Sequence, residues 1–188
     1  MKILDLFKEC DNRKNYTTGK GGLDWKVISN RLYFEPSDGV IDWVKNFMFI
    51  PFPTILGGRL YFIPFGAWLD IKEIRRICAE HDSVLETIGY SRGGWGAVYA
   101  ALILGITAKT FGCPGLVFMP TMKAQATIDA TVVHFENPDD IVCNVPPHYK
   151  HGKDRRVTNG TVVQSGGLEW YTGHSPQEYL QRLALLAY

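Results

Sequence analysis

The sequence predicts an α/β domain in which helices flank a mostly parallel central sheet. Short strand-like segments alternate along the chain with segments that have the apolar spacing of helices. Two strand-like segments, KTFG and TVVHFE, have the apolar character of strands covered on both faces. A third, SVLETIGY, runs directly into a helix of small residues at Ser91. In such domains, ligands bind at the carboxyl ends of the strands.

The remaining segments predict the elements around this sheet. WKVISNRLYFEP predicts a hairpin with arms at residues 25–28 and 31–34, and GRLYFI and TVVQS predict further strands. AWLDIKEIRRICAEH has helical spacing of its apolar residues. A last helix is expected after Ser175, because Ser175 can cap it, Pro176 fits its first position and Glu178 completes a capping box.

Length and composition are those of an ordinary globular protein. The chain has 188 residues, of which 46% are hydrophobic and 21% charged. These values predict one domain over residues 1–188, with a core of useful size. The net charge of +1 offers no electrostatic basis for a nucleic-acid or anionic-membrane partner.

Metal and cofactor sites are not expected. The four cysteines are too widely scattered for a zinc or redox motif, and we expect them to be reduced and mostly buried: Cys10, Cys78, Cys113 and Cys143. His148 and His151 form an H-x-x-H pair, but no third ligand stands out.

Targeting signals are likewise not expected. The first ten residues include Asp5, Lys8 and Glu9 where a signal peptide needs an unbroken apolar core. The most apolar run, residues 47–58, is interrupted by prolines and is shorter than the roughly 18 residues of a transmembrane helix. We therefore expect a cytoplasmic protein without a transmembrane segment.

The segment around Ser91 suggests a catalytic nucleophile. Residues 89–93 read G-Y-S-R-G and match G-x-S-x-G, the pattern of a nucleophile elbow, in which a strained strand-to-helix turn exposes the serine hydroxyl. Glycine at the two flanking positions relieves crowding, and the helix N-terminus directs N–H groups at the site. The alternative is a tight turn with an inert serine.

A nucleophilic serine needs a base and a carboxylate that orients the base. The predicted strand TVVHFE leads into Asp139 and Asp140 at the carboxyl edge of the sheet, and spacing alone leaves the choice between them open. Among the five histidines we favour His174, because it directly precedes the capping box of the last helix. A surface histidine and a solvated acidic turn are the alternatives.

At this point the sequence resembles the class 3 lipases, α/β hydrolases that include the fungal triacylglycerol lipases. Four segments are similar to family motifs in the same order and run over most of the chain: FEPSDGVIDW, GYSRGG, KTFGCPG and DIVCNVPP. A late histidine follows them, as in the family. The resemblance implies a compact α/β-hydrolase fold and ester hydrolysis without a cofactor.

The resemblance also implies a role for each matching residue. Ser91 is the nucleophile, Asp140 rather than Asp139 the acid and His174 the base. Ser37 and the backbone N–H of Arg92 form the oxyanion hole. Tyr90 and Arg92 stand where the family has histidine and leucine, which predicts a more polar rim beside the serine.

The implied substrate is an acyl ester or a lipid. The apolar segment NFMFIPFPTILGG follows the oxyanion loop, and its prolines and Gly57-Gly58 favour an irregular loop. Buried core is the alternative explanation. Residues expected to line an acyl pocket, or to touch a lipid surface transiently, are Phe47, Phe49, Ile50 and Phe52, with Tyr90 beside the serine.

Two other functions stay open on the sequence. The departures around Ser37 would suit a hydrolase-fold protein that binds a partner without catalysis. A peptidase or acyltransferase could use the same three residues, because fold and triad do not determine the acceptor.

Overall fold

The computed structural model describes residues 2–35, 48–137, 140–145, 149–150, 154–157 and 174–185. Within these residues a seven-stranded sheet forms the centre of the molecule, in the strand order β1-β2-β3-β6-β7-β9-β11. Its strands are β1 (Thr17–Thr18), β2 (Asp24–Ile28), β3 (Arg31–Phe34), β6 (Glu86–Tyr90), β7 (Thr107–Phe111), β9 (Val132–Glu136) and β11 (Asp154–Val157). Two smaller antiparallel pairs are formed by β4 (Pro51–Leu56) with β5 (Arg59–Pro64), and by β8 (Val117–Phe118) with β10 (Tyr149–Lys150).

The described helices lie on both faces of the sheet. They are α1 (Ile3–Asp11), α2 (Phe65–Trp68), α3 (Ile71–Glu80), α4 (Gly93–Leu104), α5 (Met122–Thr131) and α6 (Pro176–Leu185). One buried cluster packs α3, α4 and α5 against the sheet, and a second packs α1 and α6. None of the described helices combines the length and the apolar character needed to cross a bilayer.

Parallel pairing brings the carboxyl ends of five strands to one edge. Strands β3, β6, β7, β9 and β11 are parallel neighbours in that order. The register sets Phe34 opposite Gly89, Tyr90 opposite Phe111 and Phe111 opposite Phe135. The residues that follow β6, β7 and β9 therefore meet at this edge, as expected for a parallel sheet.

The hairpin predicted at the other side of the sheet is confirmed. β2 and β3 pair in antiparallel fashion around Ser29 and Asn30, whose φ angles are 49° and 59°. Two consecutive positive φ angles characterise the type I′ turn, whose twist matches that of the flanking strands.

The apolar segment after residue 47 is a strand, so the predicted irregular loop is wrong for its described part. Pro51–Leu56 pairs with Arg59–Pro64 through a turn at Gly57 and Gly58, both with positive φ. The prolines are tolerated because a strand of a two-stranded sheet has an edge without ladder hydrogen bonds. The predicted strand GRLYFI is confirmed as β5.

Other boundaries differ from the sequence-based expectations. The helix predicted over AWLDIKEIRRICAEH is divided into α2 and α3 at Leu69 and Asp70. Helices α1 and α5 were not predicted. TVVQS lies outside the described residues. The last helix starts where predicted, and the Glu178 N–H donates to the Ser175 hydroxyl over 3.2 Å.

The cysteines are buried free thiols, which confirms the expectation. Burial raises the pKa of Cys10 and of Cys78 to about 12. It also raises the pKa of Cys113 and of Cys143 above the usual value. Thiolates are therefore scarce in the folded protein at neutral pH.

Native protein should accordingly resist thiol reagents. At pH 8 we expect a disulfide-exchange reagent to modify the native protein only slowly, because buried thiols are both inaccessible and protonated. In denaturant all four thiols should react, as counted by absorbance. Rapid modification of even one cysteine in the native protein would contradict this account.

Candidate active site

Ser91 occupies a strained turn at the carboxyl edge of the sheet. It follows directly on β6, and α4 starts two residues later. Its φ is +55°, a conformation that costs free energy in a residue with a side chain. The Ser91 N–H donates to the Phe111 carbonyl over 2.8 Å, and the Gly94 N–H donates to the Ser91 carbonyl over 2.9 Å. This is the geometry of a nucleophile elbow.

The neighbouring glycines are required by close packing of α4 on the sheet. A Cβ on Gly89 would collide with the Gly93 backbone, and one on Gly93 would collide with the carbonyl of Phe34. A Cβ on Gly94 would lie 2.6 Å from the Cβ of Cys113. The glycines of the motif thus allow the helix to approach two neighbouring strands.

His174 and Asp140 meet the serine at this edge. The Nε2 of His174 lies 2.8 Å from the Ser91 Oγ, and its Nδ1 lies 2.8 Å from Oδ2 of Asp140. Both side chains are buried. Residues separated by more than 80 positions in the sequence therefore form one chain of hydrogen bonds.

Asp140 is held by two further donors. The Val142 N–H donates to Oδ1 over 2.9 Å, and the Tyr179 hydroxyl donates to Oδ2 over 2.7 Å. Burial, with nearby Cys143 and Asp140, holds the pKa of Tyr179 well above its usual range, so its hydroxyl stays a donor. Tyr179 also accepts the Asn137 N–H over 3.2 Å. Its hydroxyl therefore fixes both the carboxylate and the loop that carries it.

His174 is positioned by the helix that follows it and by the strand below it. Ser175 caps α6, which fixes the backbone next to the histidine. The Tyr90 hydroxyl donates to the His174 carbonyl, and the two rings stack with centroids 5.2 Å apart. Tyr90 is buried, which favours a role in positioning His174 over contact with a substrate.

Gly112 leaves space beneath the side chains of Asp140 and His174. Its φ is +53°, and an added Cβ would lie 2.8 Å from Oδ2 of Asp140 and 2.9 Å from the Tyr179 hydroxyl. A larger residue at the end of β7 would therefore displace the hydrogen-bonded carboxylate. Neither Gly112 nor Tyr179 was among the expected site residues, and only Gly112, in the KTFG segment, carries a local sequence signal.

Arg92 is close to the serine, but its side chain does not form a polar rim. Its guanidinium is buried and forms an ion pair with the carboxylate of Asp70, also buried. Tyr90 is buried too, so the predicted polar rim is wrong at both positions. The positive charge of Arg92 is neutralised inside the protein rather than exposed to solvent.

The remaining residues expected in the oxyanion hole and the acyl pocket do not share one environment. Ser37 and Phe47 lie outside the described residues. Phe49 packs partly buried against the core, and Ile50 is exposed. Phe52 packs against the rings of Phe65 and Trp68, with centroids 5.4 Å and 4.4 Å away.

Within the described residues, one group of potential metal ligands includes Cys143, three residues after Asp140. The ligand atoms of His134, Glu136 and Cys143 lie within 4.8 Å of one another. Thr110 Oγ1 is 2.7 Å from Nδ1 of the buried His134, so one ring nitrogen of this histidine already has a protein partner. The expectation that the protein needs no metal stays a prediction.

The Tyr179 hydroxyl should contribute measurably to stability. We expect Tyr179→Phe to lower the free energy of unfolding by about 1–3 kcal/mol, because Asp140 and the Asn137 N–H lose a buried partner. Urea denaturation measures this change. Tyr33→Phe is the matched control, because the buried Tyr33 hydroxyl makes no hydrogen bond within the described residues. Equal losses in the two variants would contradict the role of Tyr179.

Comparison with solved structures identifies fungal lipases. The triacylglyceride lipase of Rhizomucor miehei matches with a TM-score of 0.56 and 17% identity, over 77% of this chain and 65% of the lipase. A lipase of Yarrowia lipolytica matches with a TM-score of 0.52 and 12% identity, over 78% and 64%. A triacylglycerol lipase with a serine protease triad at its catalytic centre matches with a TM-score of 0.56 and 18% identity, over 78% and 66%.

These matches establish the fold. The sequence matches no protein-family model and no curated protein sequence. The chain spans less than two thirds of the length of each of these lipases. The resemblance to fungal class 3 lipases holds at the level of the fold, and the chain has the α/β-hydrolase fold that the sequence predicted.

Proposed function

We propose that this protein is a serine hydrolase of carboxylic esters that acts on acyl or lipid esters. The observation that carries the proposal is the continuous chain of hydrogen bonds from Ser91 through His174 to Asp140 at the carboxyl edge of the sheet. A hydroxyl, an imidazole and a buried carboxylate in this order are the groups that nucleophilic acyl transfer requires.

In the first half of the reaction the serine is acylated. Nε2 of His174 removes the proton from the Ser91 hydroxyl as Oγ attacks the ester carbonyl carbon. Asp140 stabilises the imidazolium that forms, and the backbone N–H of Arg92 with Ser37 binds the tetrahedral oxyanion. When the intermediate collapses, the bond to the alcohol oxygen breaks and the imidazolium proton passes to the leaving alcohol.

In the second half, water releases the acid. His174 takes a proton from water as its oxygen attacks the acyl-serine carbonyl. This attack forms a second tetrahedral intermediate. When it collapses, the bond between the carbonyl carbon and Oγ breaks, and Ser91 regains its proton from the imidazolium. The free acid leaves, and the enzyme returns to its starting state without a metal or cofactor.

Likeness to lipases supports this chemistry. One matched triacylglycerol lipase has a catalytic centre formed by a serine protease triad. The same residue types in this chain occupy the edge of the sheet at which ligands bind in this class of fold.

The hairpin β4–β5 supports an apolar substrate. Its exposed positions carry Pro53, Ile55, Leu60 and Phe62, of which the last three are 60%, 56% and 41% exposed, and Arg59 beside the turn is the one charged residue among them. Ile55 pairs with Leu60 across the strands, and Pro53 pairs with Phe62. A two-stranded sheet with an apolar outer face suits transient contact with a lipid surface.

Ester hydrolysis should depend on Ser91. We expect wild-type protein to hydrolyse p-nitrophenyl esters and Ser91→Ala to lose at least about 10³-fold in kcat, because the nucleophile is absent. A fluorophosphonate probe should label the wild-type protein, and mass spectrometry should locate the adduct on Ser91.

Serine 29 offers a matched control, since Ser29→Ala removes a hydroxyl from the hairpin turn at the opposite edge of the sheet. This variant should retain wild-type turnover. Equal turnover by wild-type protein and Ser91→Ala, or an unlabelled Ser91, would overturn the enzymatic proposal and favour a non-catalytic binding protein.

The apolar hairpin face should mediate binding to lipid. We expect the double variant Leu60→Ser/Phe62→Ser to bind phospholipid vesicles about tenfold more weakly. The two substitutions remove apolar surface whose burial in the lipid contributes about 1.4 kcal/mol or more to binding, and 1.4 kcal/mol corresponds to a tenfold change in affinity. Sedimentation with vesicles measures binding, and Ser91→Ala protein can be used so that no lipid is consumed. Leu85→Ser is the control, because Leu85 is 71% exposed and lies before the amino end of β6. If the Ser91→Ala protein bound vesicles equally well with and without the Leu60→Ser/Phe62→Ser or Leu85→Ser substitutions, the hairpin face would be excluded as the lipid-binding surface.

A further inference from the structure

A buried ion pair joins the nucleophile elbow to a part of the protein outside the sheet. Arg92, directly after Ser91, pairs with Asp70, which lies between α2 and α3. The two side chains are only 5% and 6% exposed. The pair is thus almost withdrawn from water, although it lies one residue from the candidate nucleophile.

Folding alone does not favour a pair in this place. Removing two charges from water costs several kcal/mol per ion, and well-packed apolar residues are often equally stabilising. A buried ion pair next to Ser91 therefore suggests that the pair contributes to the geometry of the residues around Ser91 and not to stability alone.

The pair connects the first turns of two neighbouring helices. Asp70 immediately precedes α3, and Arg92 immediately precedes α4. Further along, the Cys78 thiol of α3 donates to the Ala100 carbonyl of α4, so the helices lie side by side and point the same way. The positive ends of both helices therefore lie near the Asp70 carboxylate.

This connection restrains the peptide that follows the serine. The Arg92 N–H belongs to the peptide unit between Ser91 and Arg92. The carbonyl of that same unit, on Ser91, accepts the Gly94 N–H over 2.9 Å, and the φ of +55° at Ser91 sets the direction in which the unit leaves the strand. The guanidinium adds a third attachment, through a carboxylate on a separate element. Together these contacts determine the direction in which the N–H points.

We propose that Asp70 is a positioning residue that, through Arg92, aims the backbone N–H of Arg92 at the oxyanion. This inference rests on the proposed ester hydrolysis. Oxyanion stabilisation requires a donor fixed in advance at the position where negative charge develops. A mobile Arg92 peptide would bind the ester almost as well but would stabilise the transition state less.

The test is kinetic and uses the full chain. We expect Asp70→Asn to lower kcat by about 10- to 100-fold, because a small misplacement of a catalytic group is this costly. KM should change by less than about threefold, since ground-state binding does not depend on the donor. Arg92→Leu keeps the N–H but loses the attachment, and it should lower kcat in the same way.

Glu9→Gln is the matched control. Glu9 pairs over 2.8 Å with Lys26, whose side chain is 2% exposed, and joins α1 to β2. This variant neutralises the acid partner of another buried cation, so it should lower the melting temperature without lowering kcat. A fall in kcat in Asp70→Asn no larger than in Glu9→Gln would overturn the inference.

Two further measurements separate positioning from instability and from inactivity. In Asp70→Asn/Arg92→Leu neither buried charge remains, and kcat should fall by less than the product of the single losses, because the two residues act as one unit. Hydrogen exchange should quicken at the amides of residues 91–96 in Asp70→Asn but not in Glu9→Gln.

The exchange result separates failure of the positioning role from failure of the proposed function. If wild-type protein shows no Ser91-dependent turnover, the proposed function fails, and unchanged exchange at residues 91–96 would overturn the positioning role as well. If wild-type protein is active but the single losses multiply, only the positioning role fails.

Discussion

The site depends on one steric constraint, the close approach of α4 to β3 and β7. The helix can start beside these strands only because Gly89, Gly93 and Gly94 lack side chains. The same approach forces the residue between the strand and the helix into the left-handed conformation at Ser91. The free energy spent on this strain is offset by the packing of a helix whose first ten residues are buried. As a result, the serine hydroxyl stands clear at the carboxyl edge of the sheet.

The His174 imidazole and the Asp140 carboxylate are brought to that hydroxyl by α6 and by the residues after β9. His174 precedes the first turn of α6, and Tyr179, one turn later, donates to the carboxylate that orients the histidine. One helix therefore positions both ends of the hydrogen bond between base and acid. Phe7 of α1 stacks on Tyr179, with ring centroids 5.6 Å apart, and packs edge-on against Tyr90. The core under the site thus restrains its geometry directly.

The sequence predicted what is encoded locally. The elbow motif, the hairpin turn and the cap at Ser175 each depend on a few adjacent residues, and each appears where expected. What was missed depends on distant contacts. Tyr179 and Asp70 carry no local signal, because their roles arise from partners 39 and 22 residues away. The strand β4 was missed because its prolines suggest a loop until its antiparallel partner is known. The resemblance, rather than spacing, distinguished Asp140 from Asp139.

Proton NMR of the His174 ring tests the central hydrogen-bond chain most directly. With ¹⁵N-labelled histidine, we expect a resonance far downfield of the amide region for the Nδ1–H of His174, because that proton is shared with a buried carboxylate. The signal should disappear in Asp140→Asn. A wild-type spectrum without such a resonance, or one that Asp140→Asn leaves unchanged, would contradict the arrangement on which the proposed function rests.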